Sequence, residues 1–160
     1  EGTPGRRFDT ILWNIGNEFN QMACSPNCTQ GQIDTVSQAS ATSIATAITN
    51  LINAGVPRGN IWLLSTIDGG MTPLAIQNGL VNYGRNISNT YNQDLQDAIV
   101  GMGIHYVDAY ALFHDLAVNF TNITQAYPGS GDVNTYMWWN GNHPTARMHQ
   151  LVADYLATLL

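Results

Sequence analysis

One histidine in this chain stands where a side chain can exchange protons. It is His143, in the stretch Tyr136-Met137-Trp138-Trp139-Asn140-Gly141-Asn142-His143-Pro144-Thr145. Aromatic residues precede it, and Pro144 fixes the backbone that follows, near the expected start of the last helix. An imidazole presented from a loop at the rim of a sheet suits a general base, because it gains and loses a proton near neutral pH. Taken alone it would be read as a helix cap or a surface filler. His105, in an apolar run, and His149, in a helical one, read as structural. Asp94 with Asp97, and Asp108 with Asp115, resemble paired carboxylates for glycoside hydrolysis, but at these spacings such residues cap or solvate helices. The Trp138-Trp139 pair fits a substrate groove or the core equally well.

Two further patterns point to the compartment. Cys24 and Cys28, in Cys-Ser-Pro-Asn-Cys, predict a small disulfide loop made in an oxidising environment; the alternative is two free thiols. No other cysteine or histidine lies close by in sequence, so neither a metal nor another cofactor is expected. Sequons for N-glycosylation begin at Asn27, Asn86, Asn119 and Asn122. Seventeen asparagines and 22 serines and threonines in 160 residues would give roughly two sequons by chance, so four is a mild excess. Lysine is absent and small polar residues abound. An extracellular, glycosylated protein is expected.

Composition narrows the partners. With 44% hydrophobic and 10% charged residues, the 160 residues are expected to form one domain, 1–160, with a real core. The net charge is −6, and the five basic residues are all arginine. Only Arg6 and Arg7 are adjacent, so no basic patch exists to neutralise a phosphate backbone, and nucleic acid is not an expected partner. No apolar run reaches the roughly 18 residues that would span a bilayer. The start, Glu1 to Arg7, does not read as a signal peptide; it reads as the trimmed end of a longer chain.

The elements that must position these residues follow from periodicity. Thr10–Asn14, Ile61–Leu64 and Ile104–Val107 are apolar runs of strand length. Helical spacing runs from about Asp34 to Ala54, from Asn78 to Val100 with Leu80, Ile87, Tyr91, Leu95 and Ile99 on one face, and from about Tyr110 to Val118. Residues 119–142 read as an irregular loop. A last helix is expected from near Pro144, with Met148, Leu151, Val152, Tyr155 and Leu156 on its apolar face. Alternating strands and helices predict an α/β layer fold with parallel strands. Three strands are few for such a sheet, which leaves an apolar edge open to pairing with another chain.

In order and spacing, these segments resemble the C-terminal part of the SGNH (GDSL-type) ester hydrolases. The His143 stretch is similar to the family's closing Trp-Asp-x-x-His-Pro-Thr block. Asn14-Ile15-Gly16-Asn17-Glu18 resembles its Gly-x-Asn-Asp block, whose asparagine helps form the oxyanion hole. Asn53-Ala54-Gly55, Met71-Thr72-Pro73, Tyr106-Val107-Asp108 and Phe120-Thr121-Asn122-Ile123-Thr124 fit the segments between. The resemblance implies a three-layer, flavodoxin-like sheet with parallel strands that lacks its first strands. It also implies that His143 is the general base and that the Asn17 amide donates to the oxyanion of an ester under attack.

Two departures bear on activity. The Gly-Asp-Ser-Leu block that carries the nucleophile is absent, and none of the seven serines has its context; Ser65, after the second strand, is the nearest substitute. The aspartate three residues before the histidine is Asn140, which can bond the imidazole but cannot support imidazolium by charge, and which is expected to risk the wrong tautomer. Two readings follow. In the first, the chain is a component of an ester hydrolase acting on an acyl lipid or acetylated sugar, inactive alone and completed by a serine-bearing N-terminal fragment. In the second, it is an extracellular protein on the same scaffold without the chemistry, binding glycan or lipid or assembling with copies of itself.

Overall fold

The computed structural model of the chain describes residues 10–13, 22 and 24–159. Thr10–Trp13 forms strand β1, Ile61–Leu64 forms β2 and His105–Val107 forms β3. The three strands pair in parallel in the order β1-β2-β3, with Leu12 beside Leu63 and Leu64 beside Val107. Ile61-Trp62-Leu63-Leu64 lacks polar alternation because all four residues are buried, as a central parallel strand requires. Ile11 of β1 is exposed, and among the described residues β1 has a ladder neighbour on one side only. Asn14, expected to end this strand, lies outside the described residues.

Helix α1, Gln30–Asn53, starts a turn before the expected Asp34. Thr29 is its N-cap. The Thr29 side chain accepts from the Gln32 N–H, and the Gln32 side chain accepts from the Thr29 N–H at 2.9 Å, a reciprocal capping box. Gly55, at φ +93°, follows the helix, a conformation L side chains rarely adopt. The helix expected over Asn78–Val100 is α3, Val81–Ile99, and a short helix that was not expected, α2, Pro73–Gln77, precedes it. Gly79 at φ +68° separates them, so Leu80 precedes α3 instead of lying on its face. Tyr91, Leu95 and Ile99 are buried.

Helix α4 spans Ala109–Leu116 and ends in a short 3₁₀ turn, Ala117–Asn119. The stretch 119–142, expected to be irregular, contains strands β4, Asn122–Ala126, and β5, Tyr136–Trp138, paired in parallel. The last helix, α5, is Ala146–Leu159, close to the start expected near Pro144, which is not itself helical. Pro144 instead bridges Trp138, and Thr145 is tied to the β5 backbone. The Thr145 N–H donates to Met137 O and its hydroxyl to Tyr136 O, both at 2.9 Å. On α5, Met148 and Val152 are buried, whereas Tyr155, expected on the apolar face, is exposed.

The described residues divide into two compact units. One holds those up to Thr66 together with Asn89–Asp108; the other holds Ile67–Ser88 and residues 109–159. The first is built on β1, β2 and β3 with α1 and the later turns of α3, where the Ser37 hydroxyl donates to the Asp94 carboxylate and Gln30 donates to Thr90 at 3.3 Å. The second is built on Leu112, Phe113, Met137, Trp138, Met148 and Val152. The chain is thus mixed α/β with short parallel sheets.

Candidate functional site

His143 is presented by a tight loop between β5 and α5. The His143 carbonyl accepts the Trp139 N–H at 2.7 Å, closing the loop on itself, and the Leu74 N–H in the first turn of α2 donates to Gly141 O at 3.0 Å. The loop turns around one atom. Asn140 Oδ1 accepts from the Asn142 N–H at 3.0 Å and from the His143 N–H at 2.9 Å, and it lies 2.9 Å from His143 Nδ1. A backbone N–H can only donate, so two such donors identify the amide atom facing the ring as the oxygen. The Nδ1 atom therefore carries a proton in this arrangement. When the ring is neutral, Nε2 is then the lone-pair nitrogen, and nothing among the described residues bonds it. The amide thus suits the tautomer that a base acting through Nε2 needs. His143 and Asn140 are both exposed.

Asn17, the expected oxyanion donor, lies outside the described residues. Ser65 does not have the setting of a nucleophile. It is 0% exposed; its hydroxyl donates to Thr66 O at 3.3 Å and its carbonyl accepts the Trp13 indole N–H at 3.0 Å. Tyr106 also hydrogen-bonds Ser65, and burial pushes the Tyr106 phenol above its ordinary pKa, partly offset by its hydrogen bonds with Ser65 and Gln96. Cys24 and Cys28 are joined in a disulfide with their Cα atoms 4.9 Å apart. Of the sequon asparagines, Asn27, Asn86 and Asn119 are exposed and Asn122 is half-buried at the start of β4. His105 stacks on Trp62 at 4.0 Å and its Nε2 lies 3.1 Å from Gly59 O. Asp94 and Asp97 are held by Ser37 and Gln93.

The second unit also holds a polar cluster that the sequence did not single out. Asp68, 0% exposed, accepts from the Gly70 N–H at 2.8 Å on Oδ1. On Oδ2 it takes Arg85 Nε and His114 Nε2, each at 3.0 Å. The hydrogen bond and charge of Asp68 raise the pKa of the already basic Arg85 further. The turn beneath is drawn against α3: a Cβ at Gly84 would come within 2.7 Å of the Gly69 carbonyl carbon and the Gly70 nitrogen. These members lie 17 and 46 residues from Asp68, so no local spacing announces them. The Asp68-Gly69-Gly70 turn was the one visible sign.

The adjacent tryptophans part company. Trp138 is 0% exposed, with its indole N–H donating to Ile123 O at 2.9 Å, whereas Trp139 is 55% exposed and stacks on Tyr127. Among the described residues, no group of three histidine, cysteine or acidic side chains is placed to hold a metal ion, and no helix is long and apolar enough to cross a membrane. No protein-family model matches the sequence, and no curated protein matches it either.

Proposed function

We propose that the chain is the C-terminal part of an extracellular SGNH-type ester hydrolase on a flavodoxin-like sheet, with His143 as general base and Asn17 as oxyanion donor. The observation that carries this reading is the Asn140–His143 pair, in which the amide oxygen faces Nδ1 and Nε2 has no partner among the described residues. Nε2 would take the proton of a serine hydroxyl as its oxygen attacks the ester carbonyl. It would return that proton to the departing alkoxide, and the acyl-serine would then be hydrolysed by water activated in the same way. The serine would come from a segment that precedes this one in the family's order, on the same or a separate polypeptide. The disulfide and the exposed sequons support the extracellular assignment.

The test is turnover of p-nitrophenyl acetate by the 160-residue chain and by His143→Ala. The chain alone should turn over at background, because a base without a nucleophile supplies no covalent route. Turnover should appear on adding a serine-bearing N-terminal fragment and vanish again with His143→Ala. Robust turnover by the isolated chain that His143→Ala leaves untouched would sink the assignment.

A further inference from the structure

We propose that Trp139, backed by Tyr127, is a stacking platform for a neutral pyranose ring beside His143, so that the ester taken by the site is carried on a sugar. The inference rests on the reading of His143 as the base of an ester hydrolase and names the substrate class that reading leaves open. It starts from the contrast between two neighbours in sequence. The Trp138 ring packs near Phe113 in the core, with its N–H satisfied. Trp139 is 55% exposed, and its ring is nonetheless held in place. Tyr127 lies under it at 5.5 Å between ring centres with 25° between planes, and Tyr136 meets Tyr127 edge-on at 5.6 Å. Tyr127 is fixed at both ends: its N–H donates to Trp138 O at 2.9 Å and its hydroxyl to Gly131 O at 3.2 Å. A lone exposed tryptophan is unremarkable on a protein surface, but a tryptophan braced from below by a tethered tyrosine is preorganised, and preorganised aromatic area binds at low entropic cost.

Position and rim select the ligand. The Trp139 N–H bonds the His143 carbonyl, so platform and base belong to one closed loop. Asn140 and Asn142 of that loop are exposed; Asn140 Oδ1 is used inside the loop, while the Asn140 NH₂ and the Asn142 side-chain amide have no partner among the described residues. No residue from Trp139 to Asn142 carries a charge. A flat π-face flanked by uncharged amides matches a sugar, whose axial C–H groups lie on the ring and whose hydroxyls take the amides. An acyl chain would call for an enclosed apolar groove, which an open two-ring stack does not offer.

The experiment measures binding, which needs no nucleophile. Xylohexaose, cellohexaose and chitohexaose are titrated by calorimetry and tryptophan fluorescence against the wild-type chain, Trp139→Ala and Trp139→Phe, with circular dichroism confirming that each variant is folded. At least one hexasaccharide should bind with a Kd around or below the millimolar level, about the −4 kcal/mol expected of a small open subsite. Trp139→Ala should weaken it about tenfold or more, while Trp139→Phe should retain most of the affinity. Absence of binding by all three, affinity unchanged in Trp139→Ala, or Trp139-dependent binding of decanoate in place of the sugars would each overturn the proposal. p-Nitrophenyl acetate carries no sugar, so its turnover tests the hydrolase reading separately. Trp139-dependent sugar binding without reconstituted turnover would keep the platform and remove the enzyme.

Discussion

The Asn140–His143 pair makes a prediction that can be worked through in numbers. Asn140→Ala removes the acceptor that holds the proton on Nδ1. The bond is 2.9 Å long, neutral at both ends and exposed, so its net contribution belongs in the ordinary range of about 0.5–1.5 kcal/mol. At 1.4 kcal/mol per decade, that moves the ratio of Nδ1–H to Nε2–H tautomers by a factor of about 2 to 12 toward Nε2–H. Asn140→Asp is the matched control, because a carboxylate oxygen accepts the same three N–H groups and should keep the proton on Nδ1. The assay is two-bond ¹⁵N–¹H correlation of the imidazole at about pH 8.5, where an ordinary histidine is neutral. In the wild type and Asn140→Asp the ring proton should sit on Nδ1, and in Asn140→Ala the population should shift. A wild-type ring protonated mainly on Nε2, or no shift in Asn140→Ala, would refute both the loop geometry and the role drawn from it. With a serine-bearing partner present, Asn140→Asp should also raise turnover, since it adds the charge that asparagine lacks. The gain should fall well short of the roughly four orders of magnitude seen for the buried serine-protease pair, because this one is exposed.

Two other outcomes are expected. Gly84→Ala should destabilise the chain by about 1–3 kcal/mol despite the better helix propensity of alanine, because its Cβ would overlap the Gly69–Gly70 backbone; Gly31→Ala, in the first turn of α1 with open space around it, should be neutral or gain up to about 1 kcal/mol, and urea unfolding followed by circular dichroism compares the two. Tyr106 should titrate above the ordinary tyrosine value of about 10 when followed by absorbance near 295 nm. Its raised folded-state pKa means that the stabilisation it gives is fully present below the unfolded value and is lost as pH rises through the folded one. Tyr106→Phe should remove that late-titrating component, and an unchanged titration curve would refute the assignment.

The parts of the molecule that burial dictates were legible, and the parts held by local hydrogen bonding were less so. Ile61–Leu64 reads as a strand because an unbroken apolar run must be covered on both faces, and Trp62 and Leu63 are. Apolar periodicity places the start of α1 too late, because the first turn is held by Thr29 and Gln32, a Thr-x-x-Gln signal plainly present. Strands β4 and β5 escaped because Ile123 to Gln125 are exposed and only Met137 and Trp138 carry the sheet into the core, which leaves no alternation to see. The His143 stretch was legible as a motif. What the motif does not say is which of its tryptophans turns outward, since that depends on Tyr127, which follows β4.

A carboxylate beside a histidine does not by itself identify the base, and the second unit offers both arrangements for comparison. His114 has what His143 lacks, a fully buried aspartate at hydrogen-bond distance. Yet the oxygen that meets His114 also accepts from Arg85, whose fixed positive charge already compensates it, and the other oxygen is held by the Gly70 N–H. The carboxylate therefore has little charge left over to stabilise a transient imidazolium, and its three donors come from the 69–71 turn, α3 and α4, which it binds together. His143 rests on an uncharged amide, but all of the Asn140 acceptor capacity is spent on the loop that presents the ring, and its Nε2 has no competing partner among the described residues. For a group that must take a proton and give it back, a fixed tautomer and an unoccupied nitrogen matter first, and charge support sets the rate afterwards. Under the proposed hydrolase reading, that ordering favours His143 over His114 as the base, and Asp68, Arg85 and His114 hold the turn against α3 and α4.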